Sequence, residues 1–245
     1  MKDIKRASLW VSLRKFERAI CFEQFRMSGM RFSCRNKSKD SMNKRNLTKQ
    51  SELPYVKEAF LTPSECEILI ELIKRYSAHD PRFPARVANE LRTEVPVQLV
   101  SKHGLDREAG LLSGVRQRCK MEVAKNFEIR ISIYPEFMML QGNYPGDGHA
   151  RHADNCRYDS NGQKWVPNHT PHRVITVGVY LNECGKDFTG GELLFPVLGK
   201  TILAEPGLFV AYYSDHRFEH EVPRVKSGAR YSILLWFTDD RTFAE

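Results

Sequence analysis

His152 and Asp154 stand two residues apart in residues 144–155, YPGDGHARHADN. On an extended backbone side chains alternate with period two, so an imidazole and a carboxylate at that spacing face the same way. Both can then hold one metal ion. A second histidine from far along the chain would complete two histidines and one carboxylate on one side of the ion. That set leaves open positions and suits non-haem iron(II).

Among the eight histidines, the partner should lie on a later strand, with enough chain between for a sheet to return. His220 meets this, 68 residues on, in Phe218-Glu219-His220-Glu221-Val222-Pro223. Ten residues further, Arg230 opens the apolar run RYSILLWF. A cation at the start of a strand that reads as buried is costly unless an anion meets it. An arginine beside a metal suits a cosubstrate with two carboxylates, one chelating the metal and the other pairing with the guanidinium fork. The remaining histidines have plainer readings. His216 and His220 are four apart, as in a helical zinc pair, but Pro223 and the flanking strands disfavour a helix. His169 and His172 fall in a proline-containing loop and read as solvated, and His79 and His103 read as surface residues. His149 competes with His152 but lacks a carboxylate two residues on.

The elements that must position these residues follow from periodicity. Thr62-Pro63-Ser64-Glu65 has the form of a capping box, and Cys66, Leu69, Ile73 and Tyr76 make one apolar stripe behind it, which predicts a helix to about residue 76. Residues 78–104 read as loop with short elements. A second helix is expected over 106–126, with Leu112, Val115, Cys119 and Val123 inward. From about residue 128 the period falls from 3.6 to 2. Strands are expected over 129–134, 137–143, 174–181, 192–195, 200–204, 208–213 and 230–237. Helices followed by seven or eight short strands predict a mainly β chain: a double-stranded β-helix, or jelly roll, with the N-terminal helices packed on one face. Residues 1–50 read as a separate tail. The folded domain is expected over 55–242, with helical support at 60–127 and the jelly-roll core at 128–240.

Charge locates the tail's character. Of 38 Lys/Arg and 30 Asp/Glu, residues 1–50 hold 14 and 4, so the remaining 195 residues carry 24 and 26, a net of −2. The near-neutral body argues against a stable nucleic-acid partner, which needs cations where the nucleic acid lies. In the tail Leu9, Leu13, Phe16 and Ile20 recur at helical spacing among basic residues, a pattern shared by organelle transit peptides and by loosely helical or disordered tails. The six cysteines form no CxxC pair, which excludes a zinc ribbon and favours a reducing compartment; a soluble intracellular protein is the expectation. No apolar run approaches the ~18–20 residues that cross a membrane.

At residues 150–156, ARHADNC is similar to the corresponding stretch of leprecan-type prolyl 3-hydroxylases. Tyr144-Pro145-Gly146, Tyr213-Ser214-Asp215 and His220-Glu221-Val222 look more like the oxygen-sensing prolyl 4-hydroxylases, and Gly190-Gly191-Glu192-Leu193 with Phe195-Pro196 matches a family turn. Over roughly residues 60–240 the chain thus resembles the Fe(II)- and 2-oxoglutarate-dependent dioxygenases, prolyl hydroxylase branch. The resemblance implies that His152, Asp154 and His220 bind iron and are catalytic. It implies that Arg230 pairs with the distal carboxylate of 2-oxoglutarate, that Ser232 and Tyr180 touch the same group, and that Tyr144 is a weaker candidate nearby. The plainer reading of Tyr180 and Ser232 is that they are core residues. Many relatives have a tyrosine where this chain has His149, which bears on the mouth of the site.

The cofactors so implied are Fe(II), 2-oxoglutarate and O2, with ascorbate as reductant. The implied reaction is oxidative decarboxylation to succinate and CO2, coupled to hydroxylation of a protein or peptide side chain, with peptidyl-proline expected. The loop over 157–173 is unusually long and is expected to help choose the substrate. The alternatives are a lysyl, small-molecule or nucleic-acid substrate, or a catalytically silent jelly roll that only binds. Arg224 and Arg230 form an R-x5-R pair like that of nucleic-acid demethylases, but Arg224 lies only four residues beyond His220.

Overall fold

In a computed structural model the described residues are 52–77, 85–129 and 131–245. The expectations for the tail over 1–50 and for His79 lie outside them.

Strand β1 (Tyr55–Lys57) leads to helix α1 (Pro63–Ser77). The capping box forms: Glu65 accepts from the Thr62 amide at 2.8 Å, and Thr62 Oγ1 accepts from the Glu65 amide at 3.3 Å. The predicted stripe Cys66, Leu69, Ile73 and Tyr76 is buried, joined by Leu72. The segment 85–104 holds β2 (Val87–Ala88), β3 (Arg92–Pro96) and the short helix α2 (Val97–Lys102). Helix α3 spans Asp106–Asn126 as expected, with Leu112, Val115, Cys119 and Val123 inward. No helix among the described residues is long and apolar enough to cross a membrane.

The remaining strands are β4 (Tyr134–Asn143), β5 (His149–His152), β6 (Cys156–Asp159), β7 (Lys164–Pro167), β8 (Arg173–Tyr180), β9 (Phe188–Thr189), β10 (Leu193–Phe195), β11 (Lys200–Ile202), β12 (Phe209–Tyr213), β13 (His220–Val222), β14 (Ser227–Gly228) and β15 (Arg230–Thr238). A large sheet runs β1-β12-β8-β15-β4-β3-β2 and a small one β11-β10-β13-β5. Their pairings are antiparallel, as a jelly roll requires. The helices pack on one side of the large sheet, where Ile73 of α1 closes against Gly142. The central strands β8 and β15 are buried on both faces, which explains their nearly continuous apolar runs.

Four expectations need correction. Of the strand expected over 129–134 only Tyr134 is extended in a sheet: it opens β4, which runs through Pro135, paired with Phe237 at a register shift of β15, into the strand expected over 137–143, while residues 129 and 131–133 are not strand. The loop over 157–173 contains the β6–β7 hairpin, which the turn residues Ser160, Asn161 and Gly162 had made look irregular. His172 is not solvated: its ring stacks on Phe243 with centroids 3.8 Å apart, and its Nε2 lies 3.4 Å from Glu136 Oε1. His103 is half-buried, its Nδ1 2.9 Å from the Tyr76 hydroxyl.

Candidate metal centre and cosubstrate pocket

His152 is the last residue of β5 and pairs directly with His220, the first residue of β13. Asp154 lies just past the end of β5, where the chain leaves the small sheet, and its carboxylate reaches the large one. Thr176 Oγ1 of β8 donates to Asp154 Oδ2 at 2.6 Å, and Trp236 Nε1 of β15 donates to Oδ1 at 3.4 Å. Thr176 is itself 2.9 Å from the Ser214 hydroxyl. The two residues of the HxD pair are thus each fixed by a different sheet.

Ligand atoms of His152, Asp154 and His220 all lie within 4.8 Å of one another. Each histidine Nε2 is 3.9 Å from an Asp154 oxygen. Bonds of ~2.0–2.2 Å to a metal put neighbouring donors ~3 Å apart, about an ångström closer than these. The imidazoles are prepared for such a role. His152 Nδ1 is 2.7 Å from the Ala150 carbonyl and His220 Nδ1 is 3.0 Å from the Phe218 carbonyl. A carbonyl only accepts, so Nδ1 carries the proton in both rings and each Nε2 offers a lone pair. Burial holds the His220 imidazole below its ordinary value although Asp154 pulls the other way, which favours the neutral form a metal needs. Tyr212, buried beside it, donates to His220 Nε2 at 3.2 Å; that lone pair serves one partner at a time. Burial raises the Tyr212 phenol well above its usual range, so it remains a donor.

Across the same inner face lies Arg230, only 3% exposed. Its Nη1 donates to Asn143 Oδ1 at 3.0 Å and lies 3.5 Å from Ser232 Oγ, and its guanidinium sits 5.0 Å from the Tyr180 ring centre. Among the described residues no carboxylate pairs with it, and its buried Nε has no hydrogen-bond partner. A buried cation with an orphaned donor is what an incoming anion would complete. Ser232 and Tyr180 stand opposite each other in register beside it. Gly191, at φ +69°, closes the pocket from the Gly190-Gly191 turn, where a Cβ would lie 3.1 Å from Arg230 Cδ.

Tyr144 is not brought to this group. Its hydroxyl lies 3.2 Å from Thr93 Oγ1 and close to Gly142 and Tyr231, on the side of the large sheet that faces α1. The reason is register: Gly142 and Tyr231 oppose each other one residue out of phase with Asn143 and Arg230. His149, 6.3 Å from the His152 ring, is driven down to about 4 by burial and by the cations Arg92 and Arg230. Sequence reasoning missed Thr176, Trp236, Tyr212 and Asn143. Only their parity with Tyr180 and Arg230 on alternating strands could have flagged them.

The profile of the 2OG-Fe(II) oxygenase superfamily matches residues 138–238. Human prolyl 3-hydroxylase 2 is 33% identical over 105 residues, covering 40% of this chain and 14% of that protein; the chicken protein is 34% identical, over 40% and 15%. The match thus spans about a seventh of the curated relatives' length. Among solved structures, the viral collagen prolyl hydroxylase of Paramecium Bursaria Chlorella virus-1 shares the fold at TM-score 0.55 and 18% identity, over 86% of this chain and 97% of that one. A prolyl hydroxylase from Trichoplax adhaerens does so at TM-score 0.52 and 19% identity, over 77% and 84%. With a jelly roll that gathers two histidines, a carboxylate and a buried arginine, the chain is similar to the 2OG-Fe(II) oxygenase superfamily over residues 138–238, and to its prolyl hydroxylase branch.

Proposed function

We propose that the chain is a prolyl hydroxylase acting on a protein or peptide, with His152, Asp154 and His220 holding Fe(II) and Arg230 seating the distal carboxylate of 2-oxoglutarate. The observation that carries this reading is the buried Arg230 guanidinium, its Nε without a hydrogen-bond partner and, among the described residues, no carboxylate paired with it, on the same inner face as the three ligand atoms. When bound, iron would bring O2 to bear as the oxidant, with 2-oxoglutarate as the co-reductant: one oxygen atom would end in succinate as CO2 is lost, and the other in the substrate's hydroxyl. The chain's own residues do the rest. Thr176 and Trp236 orient Asp154; the Ala150 and Phe218 carbonyls fix both histidine tautomers; Tyr180, Ser232 and Gly191 shape the carboxylate end. Apolar strands behind the pocket exclude water, which strengthens the charge pairing within it.

A peptide substrate is supported by the relatives, which are named as prolyl 3-hydroxylases, and by the Trichoplax neighbour, solved with a hypoxia inducible factor peptide fragment. It is also supported by the β6–β7 hairpin, which begins two residues after Asp154. There Tyr158, 53% exposed, meets Trp165 edge-on at 5.6 Å, and Trp165 stacks on His216 at 5.3 Å. Rigid aromatic surface of this kind suits an extended, proline-containing chain. Ascorbate is the expected reductant in turnover.

The test is incubation of the full chain with Fe(II), 2-oxoglutarate, ascorbate and a panel of proline- and lysine-containing peptides, read by succinate formation and peptide mass. A +16 shift on proline, lost in His152→Ala, is the expected result. A shift on lysine and never on proline overturns the substrate; no turnover together with no bound iron overturns the enzyme reading.

A further inference from the structure

We propose that Asn143, held in place by Asp147 and Arg92, is the positioning residue that decides which edge of the Arg230 guanidinium faces the cosubstrate. This rests on the reading of Arg230 as the seat of the distal carboxylate. The register sets Arg92, Asn143 and Arg230 directly opposite one another across β3, β4 and β15. Directly opposed residues project from the same face of a sheet, so the three side chains form one row. Asn143 Oδ1 accepts from Arg230 Nη1 at 3.0 Å, and Asn143 Nδ2 donates to Asp147 Oδ2 at 2.6 Å. Asp147 in turn receives Arg92 through both Nε and Nη2, each at 2.7 Å. Asn143 and Asp147 are 1% and 8% exposed.

The chemistry of the row leaves the amide one orientation. A carboxylate only accepts and a guanidinium only donates. Flipping Asn143 would set its NH2 against Arg230 and its oxygen against Asp147, breaking both bonds and setting like against like. Its oxygen is therefore fixed on Nη1. A guanidinium binds a carboxylate through two donors on one edge of its planar fork. With Nη1 held by Asn143 and close to Ser232, the edge bearing the unpartnered Nε is the one left for an anion.

A neutral amide in this position also has an electrostatic rationale. An aspartate touching Arg230 would neutralise it and compete with the cosubstrate. Here the carboxylate stands one residue further off and is already neutralised by Arg92, so Arg230 keeps its attraction for an incoming anion. The direction of the guanidinium is set without spending its charge.

The test uses the full chain loaded with Mn(II) as a redox-inert stand-in, titrated calorimetrically with 2-oxoglutarate and with 2-oxopentanoate, which has a methyl in place of the distal carboxylate. Wild-type protein is expected to prefer the dicarboxylate. Asn143→Ala should weaken 2-oxoglutarate ~10-fold, about one charge-assisted hydrogen bond's worth of alignment, and leave 2-oxopentanoate within about twofold. In an Arg230→Met background the same substitution should add less than about twofold, since both act on one interaction. Equal weakening of both acids by Asn143→Ala, or an intact preference for the dicarboxylate, overturns the proposal while leaving Arg230's role standing. A wild-type protein with no preference overturns both readings. If Asn143→Ala does not fold, the shape-conserving Asp147→Asn decides: a reduced preference supports the row, and an unchanged one overturns it.

Discussion

Replacing Arg230 by methionine should move stability and function in opposite directions. The guanidinium is buried without a carboxylate partner among the described residues and with its Nε unsatisfied. An uncompensated buried cation carries a desolvation cost of several kcal/mol, only partly returned by Asn143, Ser232 and the Tyr180 ring. Methionine is unbranched and fills a similar volume without charge. In protein free of metal and cosubstrate the substitution should therefore stabilise by ~1 kcal/mol, after allowing for the lost hydrogen bond to Asn143. For a domain of this size that raises Tm by ~2–4 °C. The same change removes a charge-assisted bidentate contact worth ~1.5–3 kcal/mol, so KM for 2-oxoglutarate should rise about 10- to 150-fold. Thermal unfolding and the uncoupled decarboxylation assay on one preparation measure both. A fall in Tm of more than ~3 °C, with kcat reduced and KM unchanged, would show that Arg230 serves the core and not an anion.

Other outcomes follow from the same geometry. Thr176→Val deletes the 2.6 Å hydrogen bond to Asp154 and should weaken metal binding ~10- to 100-fold with the fold intact, checked by metal titration and circular dichroism. Trp165→Ala, which breaks the hairpin's aromatic stack, should lower kcat/KM for peptide at least ~10-fold while 2-oxoglutarate affinity changes less than about twofold. Asp147 carries a pH signature. Burial by itself would raise its carboxyl, but the hydrogen bonds from Arg92 and Asn143 outweigh burial and hold it below the ordinary value. A carboxyl depressed in the folded state contributes stability above its unfolded value near ~4 and loses it as pH falls through the folded value. Asp147→Asn should thus reduce stability at pH 7 and flatten the acid limb below about pH 5, as measured by denaturant midpoints across pH; an unchanged acid limb would refute this.

How much was legible in the sequence varied with the range of the interaction. Helix α3 follows its predicted bounds, and the Thr62–Glu65 box forms, because capping and 3.6-residue periodicity act within one or two turns. Pro135 is a local stop signal that a register shift against β15 overrides, so β4 starts at Tyr134, and the apolar alternation at 129 and 131–133 finds no strand partner. The β6–β7 hairpin leaves little strand signal in the sequence because it pairs only with itself, and its alternation is short and polar.

From the chain's order of residues alone came the His152, Asp154 and His220 set, the oddity of Arg230 at the head of a buried strand, and the jelly-roll class. These depend on residue chemistry and on alternation along single strands. Tertiary structure decided which side of the sheet each neighbour took. Tyr144, near in sequence, lies on the helix side, while Thr176 and Trp236, 22 and 82 residues beyond Asp154, hold its carboxylate. The row Arg92, Asn143 and Arg230 exists only in the register of three strands. A shift of one residue turns every side chain of a strand to the opposite face, so such rows are set by long-range pairing and by no local pattern.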